Sequence, residues 1–207
     1  HTERGRELRR EAEKIIASFL RLPMSPPIGE GFYIKTGEPA MTERGANPEI
    51  FLRSFCDDMK SLMRAYDRER QEGRPHPEWL AWVRQFGEWL LKQEEAGGGF
   101  PRSWEPGTGK VRSASTTGTF NVVTFYAQLY RLTGNKTYLD AAVRAGEFSW
   151  NHGQSDGRFT GGTIDNPDVV DKEAATIALE GFLELHEVTK DLRWVDRARV
   201  AANIAET

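Results

Sequence analysis

Apolar residues along this chain recur three and four positions apart, the spacing of one helix face, in about seven successive segments. The stripes that begin at Leu8, Phe51 and Trp79 occupy one face of each helix, whereas the runs at about 120–132 and 174–185 are apolar almost all round. A helix with one apolar face packs on one side, and a helix apolar all round is buried on every side. The pattern therefore predicts an all-α fold of alternating inner and outer helices.

A helical hairpin repeats along the chain with a period near 57 residues. Trp79, Tyr138 and Trp194 each open an amphipathic segment, and they lie 59 and 56 positions apart. In the first hairpin, Asn47 and Pro48 have the order of an N-cap and a first helical residue, which predicts where its inner helix begins. Repeats of this length are typical of stacked two-helix units, none of which buries its apolar face alone.

The connections between the helices alternate in length. Short turns are predicted near Gly73, Gly134 and Lys190, and long loops at about 23–46, 96–117 and 149–170. Because successive helices are antiparallel, every long loop leaves the array at the same end. Each long loop contains a glycine-containing motif that ends in a phenylalanine, and we expect Phe32, Phe100 and Phe159 to pack the loops onto the inner helices. Long loops at one end of a rigid scaffold are typical places for binding and catalysis.

Composition and charge narrow the classes of function. The formal net charge is −3 without a basic run, which argues against a nucleic-acid partner. No apolar stretch approaches the roughly 20 residues of a membrane-spanning helix, so we expect no membrane partner. Cys56 is the single cysteine and excludes an internal disulfide. We expect one domain over residues 1–207, with an extracellular or periplasmic location favoured if a leader has been removed.

Alternating inner and outer helices, the repeat and the Phe-containing loops resemble the α/α toroid of the six-hairpin glycosidase-like superfamily. The segment from Gly161 through Asp171 to Ala174 is similar to the joints between loop and inner helix in many bacterial members. The resemblance implies a carbohydrate-active domain, glycoside hydrolase-like toward oligosaccharides that include uronic acids, with its site at the N-terminal ends of the inner helices. It leaves open a polysaccharide lyase, and also a non-catalytic helical-repeat domain that binds a glycan or a protein.

A complete toroid has six hairpins, whereas the sequence predicts about seven helices. We therefore expect an incomplete toroid, an arc that is a fragment of a longer protein. The alternative is an arc whose exposed apolar flanks are buried by self-association with a second copy.

Asp57 and Glu173 lie at equivalent positions along two predicted inner helices. Each lies nine positions before the aromatic residue that closes the apolar run. In a toroid such residues ring the mouth of a funnel, where facing carboxyl groups serve as general acid and base. We predict Glu173 and Asp171 as acid or base, with Asp57 opposite. Structural roles compete with this interpretation: Glu173 complements its helix dipole, Asp171 is an N-cap, and Asp57 pairs with Arg53 or Lys60.

Carboxylates are densest in the third long loop, where Asp165, Asp168, Asp171 and Glu173 lie within nine positions. We predict that this group holds sugar hydroxyls, with Ca²⁺ as a less favoured ligand. No other metal and no cofactor is expected. A simple turn at Asp165 followed by a helix cap at Asp171 is the competing interpretation.

Aromatic and basic side chains of the long loops complete the predicted sugar site. Trp104 is predicted as a stacking platform, since the residues after it are polar and turn-forming, and Tyr33 as a further ring. Arg102 and Arg158 are predicted to hold hydroxyl groups or a uronate carboxylate. His152 is the histidine predicted on this end of the molecule, although a lone loop histidine is usually just solvated.

Overall fold

Seven α-helices build the described part of the chain, and six short strands lie in the loops between them. The structure is a computed structural model that describes residues 2–29, 31–33, 35–40, 42–44, 47–163 and 166–206. The helices are α1 (Glu3–Phe19), α2 (Leu52–Gln71), α3 (Pro77–Leu91), α4 (Asn121–Thr133), α5 (Lys136–Asn151), α6 (Lys172–Thr189) and α7 (Arg193–Glu206). The strands are β1 (Gly31–Phe32), β2 (Pro39–Ala40), β3 (Thr42–Arg44), β4 (Asn47–Phe51), β5 (Ser103–Trp104) and β6 (Val111–Ser113). Among the described helices, none combines the length and the apolar character that crossing a bilayer requires.

The inner layer consists of α2, α4 and α6, with α4 packed between the other two. Residues 121–129 of α4 are all buried, because helices cover this segment from both sides. The outer helices α3, α5 and α7 each pack against the inner helix that precedes them in the chain. The predicted all-α fold with alternating inner and outer helices is confirmed, and it forms an arc of an α/α toroid.

The last inner helix, α6, is less buried than its composition predicts. Its Leu183 side chain is 45% exposed, and Ile177 and Leu179 are only partly buried. α6 packs mainly against α4, α5 and α7, and α2 reaches it through charged side chains. The prediction that this helix is buried on every side is therefore wrong, whereas self-association through exposed flanks stays a prediction.

The inner helix of the first hairpin begins later than its local signal indicates. Asn47 and Pro48 lie in β4, and α2 begins at Leu52. β4 pairs antiparallel with β5, so that Ile50 lies opposite Trp104. The pairing keeps the backbone extended to the end of β4 and overrides the predicted helix start.

The three long loops meet at the N-terminal ends of the inner helices. The first two are joined by the sheet that runs in the order β3-β4-β5-β6, and by a 2.8 Å hydrogen bond from the Gly107 amide to the Pro27 carbonyl. The second and third are joined by Arg102, whose Nη2 donates to the Thr163 carbonyl at 2.5 Å. Convergence of the long loops at one end, predicted from their alternation with short turns, is confirmed.

Phenylalanine rings fix these loops to the helices. Phe100 and Phe159 are fully buried, and the Phe100 ring lies 6.2 Å from that of Tyr126 on α4. Phe32 is only partly buried, with the Arg21 guanidinium 4.9 Å from its ring centre. Two of the three rings are thus embedded in the core, as their glycine-containing motifs predict.

The first helix is attached to the array by charged side chains. Glu69 of α2 accepts a 2.5 Å hydrogen bond from Arg74 and lies 3.2 Å from the Nε of Arg9 on α1. The hydrogen bond from Arg74 is the main cause that lowers the pKa of Glu69 below its usual value of 4.5. Because the pKa of Glu69 is lower in the folded state, its ion pairs stabilise the fold at a pH above the unfolded-state pKa. This stabilisation is lost as the pH falls through the folded-state pKa.

We expect Glu69→Gln to lower the free energy of unfolding by about 1 kcal/mol near neutral pH, and to lower it less at acid pH. Urea denaturation measures the difference in the free energy of unfolding between the variant and the unaltered chain. The measurements run from roughly pH 3 to pH 7, which includes the usual range of carboxyl pKa values. Glu187→Gln, whose partner Lys190 is exposed, is the control and should leave the curve unchanged. Equal effects of Glu69→Gln at both ends of the range would contradict the assignment.

Candidate active site

Charged side chains form a ladder between two of the inner helices. On α2 they follow one face at the spacing i, i+4, i+7 and i+11, and on α6 they lie seven positions apart. We define the ion-pair ladder by its members, which are Arg53, Asp57, Lys60 and Arg64 on α2 and Glu173 and Glu180 on α6. Because α4 packs between α2 and α6, these side chains meet across one side of α4.

Arg53 brings two predicted carboxylates together at the loop end of the ladder. Its Nη1 donates to Glu173 Oε2 at 2.8 Å, and its Nη2 bonds the other oxygen of the same carboxylate. Its Nε lies 3.8 Å from Asp57 Oδ2, and Lys60 Nζ lies 2.8 Å from Asp57 Oδ1. The side chains of Asp57 and Glu173 are 42% and 48% exposed, so both carboxylates remain open to a ligand.

Farther along the helices, the ladder is a purely structural contact. Glu180 is paired with Arg64, and its Oε2 lies 3.5 Å from Lys60 Nζ. The Lys60 side chain is buried between Asp57 and Glu180, which compensate its charge. This part of the ladder joins α2 to α6 at a distance from the loop end.

A small pocket adjoins the loop end of the ladder. It is lined by residues from the start of α2, the start of α4 and the second and third long loops, including Arg53, Arg102, Asn121 and Thr163. Asn121, at the first position of α4, donates from Nδ2 to the Gly118 carbonyl at 2.7 Å. Its Oδ1 is buried and has no hydrogen-bond partner among the described residues. The pocket therefore offers an acceptor to a ligand hydroxyl beside the two carboxylates.

Asp171 has a capping role in place of the predicted role as acid or base. Its Oδ1 accepts from the Ala174 amide at 2.6 Å, as an N-cap of α6 does. Its Oδ2 accepts from the Gly162 amide at 3.2 Å. Both oxygens are engaged by backbone groups, so the carboxylate holds the third long loop against α6.

The rest of the acidic group is only partly described. Asp165 lies outside the described residues, and Asp168 is exposed, with its amide donating to Asn166 Oδ1 at 3.0 Å in a turn. Among the described residues, no set of metal-ligating atoms gathers in this segment. Calcium binding and hydroxyl binding by this group stay predictions.

Trp104 and Arg102 lie inside the molecule, contrary to the predicted platform and the predicted carboxylate anchor. Trp104 is only 1% exposed, and its ring meets that of Trp89 edge to face at 5.2 Å. Because the ring is packed in the hydrophobic core, it has no open face on which a sugar can stack. Arg102 is buried as well, where it links the second loop to Thr163 of the third.

The remaining predicted ligand residues fall into two separate places. Tyr33 is exposed beside the β1–β2 hairpin, in a shallow groove that it lines with Phe32. His152 and Arg158 line a different pocket at the C-terminal end of α5. These residues line pockets other than the one beside Arg53, so the predicted single sugar site divides into three.

Sequence reasoning missed part of the site. Arg64 and Glu180 complete the ladder, and Asn121 supplies the buried acceptor. Asp58, next to Asp57, lines an apolar groove between α1 and α2 and is a further carboxyl group at this end of α2. The signal for the ladder is present in the sequence, since a charged stripe at helical spacing on an inner helix needs partners from another inner helix.

The chain was compared with protein families and with solved structures. The family model described as glycosyl hydrolase family 76 matches residues 57–207. Among solved structures, an α-mannanase of glycosyl hydrolase family 76 from Bacteroides thetaiotaomicron has a TM-score of 0.62 at 13% identity, over 78% of this chain and 42% of that chain. The cellobiose 2-epimerase of Spirochaeta thermophila has a TM-score of 0.64 at 15% identity, over 100% of this chain and 56% of that chain.

A third structure, the unsaturated glucuronyl hydrolase of Bacillus sp. GL1, has a TM-score of 0.55 at 15% identity, over 81% of this chain and 49% of that chain. These likenesses confirm the α/α toroid. A comparison with the curated proteins gave no match. The chain spans about half the length of the solved structures it matches.

Proposed function

Because the chain belongs to glycosyl hydrolase family 76, we propose that it hydrolyses glycosidic bonds of an oligosaccharide bound at the loop end of the ion-pair ladder. The observation that carries the proposal is the meeting of Asp57 and Glu173 on Arg53. Two carboxyl groups at the ends of different inner helices can approach a bound sugar from two directions. Hydrolysis needs such a pair, one to protonate the leaving oxygen and one to act on the sugar carbon or on a water.

Arg53 orients the pair. A guanidinium has donors only, so its two-point contact fixes the plane of the Glu173 carboxylate. This suits Glu173 to the role of base or nucleophile, which must face the anomeric carbon in a fixed direction. Asp57 meets Arg53 at a longer distance, 3.8 Å, and is the partner proposed to serve the leaving oxygen.

The substrate class that fits these residues is a neutral oligosaccharide. Arg53 is engaged with carboxylates, and Arg102 donates to a backbone carbonyl, so the cations that line the pocket beside the ladder already hold protein acceptors. Asn121 Oδ1 and the carboxylates instead accept from hydroxyl groups. α-Mannan oligosaccharides are the first class to test, because a family member of known structure is named an α-mannanase.

We expect Glu173→Gln and Asp57→Asn each to lower the turnover of α-mannan oligosaccharides by about 10²-fold or more. Turnover is measured by chromatography of the products from the full chain. Glu180→Gln is the matched control for Glu173→Gln, since Glu180 also joins α6 to α2 but lies two turns from the loop end. Asp58→Asn in the same assay separates the two neighbouring aspartates.

Three results would overturn the proposal. If turnover is unchanged in Glu173→Gln, the ladder takes no part in the reaction. Oligosaccharide binding without any product in the unaltered chain would favour the non-catalytic domain. Unsaturated products from uronate substrates would favour the lyase, which forms them by elimination.

A further inference from the structure

A second polar pocket lies at the same end of the molecule, away from the ladder. It is formed where α5 ends, where a single 3-10 turn (Gln154–Asp156) follows, and where the second and third long loops pass. We call it the α5 pocket, and the residues that define it are Thr116, Phe148, Ser149, His152, Gln154 and Arg158. Its volume is about 330 Å³ with the open mouth included, enough for one small ring compound.

The floor of the α5 pocket carries two polar side chains that the protein does not satisfy. Ser149 is 7% exposed and Gln154 is 4% exposed. Ser149 Oγ and Gln154 Oε1 are buried and have no hydrogen-bond partner within the part of the chain that the structure describes. A buried acceptor without a partner destabilises the folded state. Two of them in one pocket therefore indicate a ligand that donates hydrogen bonds.

His152 at the mouth of the pocket presents a further acceptor. Its Nδ1 lies 2.7 Å from the carbonyl oxygen of Phe148. A carbonyl only accepts, so Nδ1 carries the proton, and the neutral ring keeps a lone pair on Nε2. The imidazole also stacks on the Phe148 ring, with 3.9 Å between ring centres. The stack fixes the ring and adds an apolar surface to a pocket of acceptors.

The α5 pocket is separated from the ladder by a close backbone contact. Gly161, at φ +84°, lies so near Thr117 and Gly118 that a side chain on it would collide with their backbone. The two pockets share no lining residue, since Thr117 and Thr160 line the α5 pocket and Gly118 and Gly161 line the pocket beside the ladder. A ligand of the α5 pocket is therefore not the sugar unit that meets Glu173.

We propose that the α5 pocket is a carbohydrate-binding site without catalytic residues, which holds one neutral hexopyranose unit through its hydroxyl groups. Several hydroxyl donors on a compact ring match Gln154 Oε1, Ser149 Oγ and His152 Nε2. Arg158 at the rim is exposed and lies 3.4 Å from Asp156, so it serves as a donor to a ring or hydroxyl oxygen. The proposal does not require the ladder to be catalytic.

D-Mannose added to the full chain tests this site by nuclear magnetic resonance. We expect the amide signals of residues 149–158 to shift with a dissociation constant on the order of millimolar. His152→Phe keeps the stack on Phe148 and removes Nε2, and Gln154→Leu removes the buried acceptor; each should weaken binding at least tenfold. Ser149→Ala is the smallest change and should also weaken mannose binding, so it tests the site if the larger variants fold poorly.

Two controls separate this inference from the proposed hydrolysis. Glu173→Gln should leave the mannose shifts of residues 149–158 unchanged, and Gln154→Leu should leave turnover of short α-mannan oligosaccharides unchanged. The inference is overturned if D-mannose shifts none of these signals, which would mean that the pocket holds water only. Undiminished binding in His152→Phe and Ser149→Ala would overturn it too. A preference for glucuronate that Arg158→Gln abolishes would overturn the assignment of a neutral sugar.

Discussion

Replacing Gly162 with alanine is expected to lower the free energy of unfolding by about 3 kcal/mol, the largest effect that we expect of any single methyl group in this chain. A Cβ atom at this position would overlap Asp171 Oδ1 and the Ala174 amide, and would lie 3.0 Å from the Ala174 Cα. These atoms belong to the cap of α6 and cannot move without breaking the hydrogen bond between Asp171 and Ala174. The cap, the third long loop and the start of α6 should therefore be disturbed together.

The same substitution should reach the candidate active site. The carbonyl of Gly162 accepts a hydrogen bond from Arg53, which in turn holds Glu173. Urea denaturation gives the stability, and turnover of α-mannan oligosaccharides below the unfolding transition gives the effect on the site. Gly5→Ala is the control, because Gly5 lies in the first turn of α1 and the new methyl would meet only Thr2 Oγ1 at 3.3 Å. Equal stability of the two variants would contradict the crowding at Gly162.

The scaffold could be predicted from the sequence because its signals are periodic. Apolar spacing defines the helices, and alternation of short turns with long loops places all long loops at one end whatever the tertiary details. The equivalent heights of Asp57 and Glu173 follow from the same repeat. Their convergence on Arg53 was accessible in this way, since a repeat carries positional information from one hairpin to the next.

Side-chain direction in the long loops could not be predicted, because it depends on pairing between distant segments. Trp104 is followed by turn-forming polar residues, as an exposed platform would be. Its burial is imposed by Ile50, the partner of Trp104 in β4, more than fifty positions earlier in the chain. The same pairing extends the backbone through Asn47 and Pro48 and delays α2. No local pattern contains the information that these two loops form one sheet.

Asp171 shows a different limit. A carboxylate one residue before an inner helix is equally consistent with a catalytic group at the funnel mouth and with an N-cap. The choice depends on whether another backbone amide approaches its second oxygen, and here Gly162 supplies that amide. The residue type is therefore predictable at this position, but its role is decided by the path of the preceding loop.

Removal of Arg53 is expected to produce the largest loss of turnover among substitutions outside the carboxylates. Without the guanidinium, Glu173 loses both of its hydrogen bonds to α2, and Asp57 keeps only Lys60. A carboxylate that is free to rotate spends little time in the reactive direction, so Arg53→Ala should lower kcat by about 10²-fold. KM should change much less, because the acceptors of the neighbouring pocket, such as Asn121 Oδ1, remain.

Two further variants distinguish positioning from simple stabilisation. Arg64→Ala also removes an ion pair between α2 and α6, with Glu180, but lies three turns from the loop end and should leave kcat unchanged. Arg53→Lys keeps the charge and loses the two-point contact, so it should recover stability more fully than turnover. If Arg53→Ala and Arg64→Ala lowered kcat equally, the guanidinium would be acting only through the stability of the helix pair. An unequal result ties the contacts of Arg53 with Glu173, Asp57 and the Gly162 carbonyl to the chemistry.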